Sequence, residues 1–293
     1  MKLFQFYEDG AVRLGAEAEG RRWNLRAVGK KLGISLPNTM EEAIATPDVL
    51  AAISNACSRA ALSGTDLEES ELREPVSFAP VVSRPEKILC VGLNYRSHTQ
   101  ETNETPPAFP LLFGKFPNAL TGHGQTLRLP QAASRFDYEA ELVLVIGKRA
   151  SCVSPEEAAG CLFGCTCGND FSARDAQFRS SQWLIGKSFD GFAPIGPYLT
   201  PAGQLNPERL DISSSVNGQV RQHSSTAQMI FDWRQIISYA SQYMTLLPGD
   251  LIFTGTPGGV ILGYPEEKQV WLKAGDQVSV TIEGIGTLTN RLA

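Results

Sequence analysis

Phe136-Asp137-Tyr138-Glu139-Ala140-Glu141 runs without a break into Leu142-Val143-Leu144-Val145-Ile146-Gly147, and acidic chemistry returns at Asn169-Asp170. Leu142 to Ile146 is an unbroken apolar run rich in branched side chains, the composition of a strand buried on both faces. Side chains alternate along a strand, so Asp137, Glu139 and Glu141 are expected to project from one face. Carboxylates crowded on a buried strand repel each other and lose hydration, which is unfavourable unless positive charge lies among them. A divalent cation is the simplest remedy. An isolated Glu-x-Glu is ordinarily an edge strand with solvated glutamates, so the surrounding segments decide the matter.

The ligand type selects the ion. Glu139, Glu141 and Asp170 offer oxygen only, which suits Mg²⁺ or Mn²⁺, with Ca²⁺ a further hard-ion candidate, far better than zinc. Three carboxylates on an octahedral ion leave positions for water and a chelating substrate.

The chain has 293 residues, of which 42% are hydrophobic and 19% charged. These values fit a globular protein with a full core. A formal net charge of -5, a pI near 5.4 and the lack of a basic cluster argue against nucleic acid or an anionic membrane as partner. A small molecule is the expected ligand. Met1 to Tyr7 has no long apolar core of a signal peptide and no uncharged run is long enough to span a bilayer, so a cytoplasmic location is expected. The six cysteines, Cys57, Cys90, Cys152, Cys161, Cys165 and Cys167, are read as reduced thiols and as small buried hydrophobes. The last three lack a C-x-x-C pair and nearby histidines, which argues against a thiolate metal site.

Glu74-Pro75, Pro80 and Pro85 punctuate the chain and push the preceding residues toward extended conformations. They divide a small N-terminal domain, residues 1–80, from a larger one, residues 81–293. The first contains a hairpin turning at Asp9-Gly10 and helix starts at Thr39 and Thr46-Pro47, without any residue that suggests chemistry. In the second, Lys87–Leu93 reads as a buried strand. The polar stretch from Asn94 to Pro107 that follows it reads as a candidate lid. Ser154-Pro155 and Asp232 start helices, and Asn217-Gly218 turns a hairpin. Short strands are expected at Leu251–Thr254, Gln269–Leu272 and Gln277–Ile282. Many short strands with few helices indicate a closed or double-layered sheet.

Four further segments carry too much polarity for ordinary loops. They are Asn169-Asp170-Phe171-Ser172-Ala173-Arg174-Asp175-Ala176-Gln177, Gly186-Lys187-Ser188-Phe189-Asp190-Gly191-Phe192, Gly249-Asp250-Leu251-Ile252-Phe253-Thr254-Gly255-Thr256-Pro257-Gly258-Gly259-Val260 and His98-Thr99-Gln100-Glu101. In the last, imidazole and carboxylate are neighbours if the stretch forms one helical turn.

Together with the Glu139/Glu141 pair, these segments resemble the fumarylacetoacetate hydrolase family, in order over residues 87–293. Within it the chain is similar to the branch of acylpyruvate hydrolases and oxaloacetate decarboxylases, which carries the His-x-x-Glu dyad matched by His98 and Glu101. The resemblance implies an α+β, mostly β protein whose catalytic domain is a mixed β-sandwich roll, preceded by a small N-terminal α/β domain. It also implies a homodimer and a Mg²⁺ or Mn²⁺ ion held by Glu139, Glu141 and Asp170.

On that basis the expected substrate is a short 2-oxo acid, chelating the ion through its carboxylate and keto oxygens. Lys187 and Gln177 would stabilise the enolate, and Thr256 would hold the substrate carboxylate. His98, oriented by Glu101, would activate the water that cleaves the C-C bond of a 2,4-dioxo acid. Decarboxylation of oxaloacetate passes through the same enolate, and hydratase or isomerase chemistry on 2-hydroxymuconate-type acids is a third reading. A metal-dependent oxo-acid binding protein is the reading outside enzymology. Trp183, Phe109, Arg179 and Tyr95 are candidates for the wall that meets the far end of the substrate.

Overall fold

The acidic strand lies in the middle of the large sheet in the computed structural model, which describes residues 1–62 and 69–293. The strand spans Ala140–Ile146 and every residue in it is buried. Alternation divides its side chains between two cores. Leu142, Leu144 and Ile146 enter one hydrophobic cluster, while Val143 and Val145 enter another. An apolar run without polar alternation is what a strand with two buried faces requires.

Its neighbours are Leu162–Asn169 and Leu251–Phe253, both antiparallel to it. Past Leu251–Phe253 come the parallel strand Ile88–Gly92 and then Leu111–Lys115 at the edge. Past Leu162–Asn169 come Ala193–Pro201 and the N-terminal strands Lys2–Glu8, Ala11–Ala18 and Arg21–Asn24. Leu3 pairs with Leu199, so the N-terminal strands continue the same sheet. Their far side packs on the helix Val49–Leu62, with Leu14, Trp23 and Ile53 in one cluster with Val143 and Leu199.

A second sheet orders Gln219–Ser225, Asp211–Val216, Gln277–Ile282, Gly286–Leu292 and Thr126–Leu127 side by side. Ile212, Val280, Ile282 and Leu288 from it share a core with Leu142 and Leu144 of the acidic strand. Ile236, Ile237 and Ala240 of the helix Trp233–Tyr243 complete that core. The architecture is α+β, mostly β, with two sheets layered as a mixed sandwich roll.

The local signals have direct physical counterparts. Asp9-Gly10 and Asn217-Gly218 all have positive φ, as a two-residue type I′ turn demands. Ser154 and Asp232 start their helices with complete capping boxes. Thr39 caps Met40–Ala45, but Glu42 accepts from the Asn38 N–H and closes only half a box. Gln269–Leu272 is not a strand. The Gln269 side chain donates to Leu262 and Tyr264 carbonyls, and Leu272 makes a single bridge to Phe136. Five of the six free cysteines are buried, and Cys152 is exposed at a positive-φ turn. Among the described residues no helix is long and apolar enough to cross a membrane.

Candidate active site and metal centre

Strand direction places the chemistry. Ile88–Gly92 and Leu251–Phe253 run parallel, so the segments after Gly92 and after Phe253 leave the sheet at the same end. Ala140–Ile146 runs the other way and begins there, and Ala140 pairs with Asn169, the last residue of Leu162–Asn169. Glu139, Glu141, Asp170, the 94–101 stretch and the 254–259 loop therefore meet at one end of the sheet.

One ligand oxygen from each of Glu139, Glu141 and Asp170 can be chosen so that all lie within 4.8 Å of one another. All three residues are buried. Asp137 is not one of the set. The strand is interrupted at Tyr138 and Glu139, between Phe136–Asp137 and Ala140–Ile146. The Asp137 carboxylate instead accepts from the Ile261 and Leu262 N–H groups and pairs with Arg174 at 2.9 Å.

Three buried cations thread the carboxylates. Lys187 Nζ donates to Glu139 Oε2 at 2.7 Å and to Asp170 Oδ2 at 2.8 Å. Lys115 Nζ lies 2.5 Å from Asp170 Oδ1. Arg174 bridges Asp137 and Glu139. Burial alone would raise the Glu139 carboxyl, but Lys187, Arg174 and His98 outweigh it and hold it far below the usual carboxylate range. Burial would lower Lys187, yet Asp170 and Glu139 hold it above its ordinary value, so this lysine is a cation and hydrogen-bond donor.

Glu141 is the exception. Among the described residues no ion pair reaches it; its Oε2 accepts only from the Gly255 N–H, at 2.7 Å. Burial, Asp170 and Glu139 together push its carboxyl well above the ordinary range. Four buried carboxylates, Asp137 included, thus stand against three buried cations, and the unmatched charge lies on the ligand set itself. An all-oxygen trio short of positive charge fits a hard divalent ion.

Glycine permits two of the close approaches. Gly255 has φ +96°, and a Cβ there would stand 2.8 Å from Asn94 Cβ and 2.9 Å from Val91 O. A Cβ on Gly186 would lie 2.4 Å from Gln177 N, so the bare backbone lets Lys187 sit beside Gln177.

His98 and Glu101 lie on the helical turn Arg96–Glu101, with His98 Nδ1 2.8 Å from Glu101 Oε1. Glu101 Oε2 accepts from the Gly259 N–H at 2.6 Å, and Ser97 Oγ from the Gly258 N–H at 3.0 Å. The stretch read from sequence as a lid is thus docked on the glycine loop as far as Glu101, while Asn103–Pro106 is exposed.

A cavity of about 560 Å³ opens over the trio. His98, Glu101, Gln177, Lys187 and Thr256 all line it. Gln177 Oε1 accepts from Arg174 at 3.0 Å, which leaves the Nε2 to donate toward the cavity. The Thr256 hydroxyl donates to Ala140 O and accepts from Gln222 Nε2, so it is already engaged. Of the four wall candidates, Trp183 lines the cavity. Tyr95 is fully buried, Phe109 stacks on Tyr239, and Arg179 donates to Ala132 O. Asp137 was expected on the face of Glu139 and Glu141 but given no partner, and Arg174 and Lys115 were not singled out from sequence. The first two stood inside the quoted segments, and the carboxylate excess required buried cations, whereas nothing local marks a lysine ending Leu111–Lys115.

Residues 87–293 match the family of the fumarylacetoacetate (FAA) hydrolase C-terminal region. A fumarylacetoacetate hydrolase domain-containing protein 2 homolog of Dictyostelium discoideum is 38% identical, covering 96% of this chain and 92% of that protein. The mitochondrial oxaloacetate tautomerase Fahd2a of Rattus norvegicus is 41% identical, covering 75% of this chain and 70% of its own. Among solved structures, a fumarylacetoacetate hydrolase from the psychrophilic Exiguobacterium antarcticum superposes with a TM-score of 0.83 at 33% identity, covering 100% of this chain and 99% of that one. Sequence, fold and a buried carboxylate trio converge: the chain belongs to the fumarylacetoacetate hydrolase family.

Proposed function

We propose that this protein forms and discharges the enolate of a short 2-oxo acid, and that its reaction is hydrolytic cleavage of the C-C bond in an acylpyruvate. The observation that carries this reading is the shared cavity. It joins a cation held protonated, Lys187, to an imidazole held by a carboxylate, His98 with Glu101.

Glu139, Glu141 and Asp170 would hold Mg²⁺ or Mn²⁺, which supplies Lewis-acid polarisation of the keto group when bound. Lys187 places positive charge where the enolate oxygen develops, and Gln177, fixed by Arg174, donates from its amide to the same region. Glu101 accepts from His98 Nδ1 and leaves Nε2 as the base that takes a proton from water. The water oxygen bonds to the C4 carbonyl carbon, the C3–C4 bond breaks, and its electron pair passes into the pyruvate enolate. Protonation of C3 then releases pyruvate and the carboxylic acid derived from the acyl group.

A second reading is oxaloacetate tautomerisation, favoured by the name of the Rattus norvegicus relative. There His98 would move a proton between C3 and the keto oxygen without water attack. Oxaloacetate decarboxylation uses the enolate as well. Rates on acetylpyruvate, oxaloacetate and its enol, each with Mg²⁺ and Mn²⁺, separate these reactions. Flat rates on all of them would leave only the oxo-acid binding reading.

A further inference from the structure

The cavity is divided in polarity. Its acidic and cationic groups gather around Glu139, Glu141, Asp170 and Lys187, and beyond them the lining turns aromatic at Phe113 and Trp183. Lys187 Nζ lies 5.3 Å from the Phe113 ring centroid, and the Phe113 and Trp183 rings meet edge to face at 5.3 Å. The apolar wall thus begins one ring's width from the reacting end. Trp183 rests on bare backbone: a Cβ on Gly92 would stand 2.7 Å from its Cζ3 and 2.9 Å from Leu111 Cδ2. Val91, Leu93 and Leu262 extend the apolar lining.

Charge points the same way. The cationic side chains lining the cavity are Arg174 and Lys187, joined by His98 when it is protonated. Arg174 is bound to Asp137 and Glu139, Lys187 to Glu139 and Asp170, and His98 to Glu101. Five carboxylates line the same space, Glu101, Glu104, Glu139, Glu141 and Asp170. Among the described residues, each cation of the lining is therefore already held by a carboxylate of the protein, and the apolar end at Phe113 and Trp183 holds none. A second carboxylate on the substrate would meet no cation of its own, and an unpaired charge in a partly dehydrated site is strongly disfavoured.

We infer that the cavity selects 2-oxo acids with a single carboxylate and an apolar tail, seated on the Trp183–Phe113 wall that Gly92 makes room for, over dicarboxylates of similar length. The inference rests on the 2-oxo acid reading above and assigns the tail: alkyl or aryl acylpyruvates rather than oxaloacetate.

Calorimetric titration of the Mg²⁺-loaded protein with pyruvate, 4-methyl-2-oxopentanoate, phenylpyruvate and 2-oxoglutarate tests it. The apolar-tailed acids should bind at least about tenfold tighter than pyruvate, the factor that goes with ~1.4 kcal/mol, or roughly 55 Å² of apolar surface removed from water. 2-Oxoglutarate should gain nothing over pyruvate. Trp183→Ala should collapse the phenylpyruvate-to-pyruvate affinity ratio, and Trp183→Arg should turn the preference toward 2-oxoglutarate. Tighter binding of 2-oxoglutarate than of phenylpyruvate by the unaltered protein overturns the inference and leaves the 2-oxo acid reading standing. Binding of none of the four removes that reading and the inference with it.

Discussion

Four side chains in and around the acidic cluster, Glu141, Lys115, His98 and Lys187, have separable jobs, and each makes its own prediction. Of the two glutamates, Glu141 is the one whose carboxyl is pushed up, by burial and by Asp170 and Glu139, while Glu139 is held low by Lys187, Arg174 and His98. A ligating carboxylate must be deprotonated. Below the raised Glu141 pKa, metal affinity should therefore fall about tenfold per pH unit, and binding should release close to one proton. Mn²⁺ titrations in buffers of different ionisation enthalpy measure both, and pH-independent affinity without proton release would contradict the assignment. Lys115 and Asp170 form a buried pair, so Lys115→Met leaves a carboxylate short of a partner and should destabilise the metal-free fold by ~3 kcal/mol. Added Mn²⁺ should restore part of the loss in a denaturant titration. His98→Ala removes the base, so acylpyruvate hydrolysis should fall by ~100-fold to ~10,000-fold, while oxaloacetate decarboxylation falls much less. Lys187→Ala should damage both, and equal losses in the two reactions for His98→Ala would contradict the shared enolate.

The helical turn Arg96–Glu101 shows how one element joins base and loop. Glu101 holds His98 through one oxygen and the Gly259 N–H through the other, so it sets both the ring orientation and the docking of the turn. Glu101→Ala should speed hydrogen exchange at Gly259 and across the turn as well as slow the reaction. Unchanged exchange would mean that packing by Tyr95 and Thr99, both buried, is what holds the segment. Oxalate with Mg²⁺ should add protection over the exposed residues Asn103–Pro106. The dyad was legible in sequence because its spacing is local, as were the caps at Ser154 and Asp232 and the turns at Asp9-Gly10 and Asn217-Gly218. The work of Asp137 was not legible in sequence, because its partners Arg174 and the Ile261 and Leu262 N–H groups are distant in the chain. Gln269–Leu272 has strand-like composition, yet its first side chain bonds to carbonyls of its own loop rather than joining a ladder.

Across the whole molecule, the site exists because parallel and antiparallel neighbours deliver their ends to one edge of the sheet. Sequence order makes the trio legible, but not the pairing of Leu3 with Leu199 or the reach of Lys115 to Asp170, since partners distant in the chain leave no local pattern. The same convergence supports the proposal that the trio, Lys187 and the His98–Glu101 dyad act on a single 2-oxo acid through its enolate. Proton exchange at C3 tests this without assuming any particular tail. Pyruvate in D₂O with Mg²⁺ and the protein should incorporate deuterium into its methyl group, read by proton NMR, well above the rate with Mg²⁺ alone. Lys187→Ala and Glu141→Ala should each abolish that excess. Methyl signals that decay no faster with the protein than without it, in both Mg²⁺ and Mn²⁺, would contradict the claim.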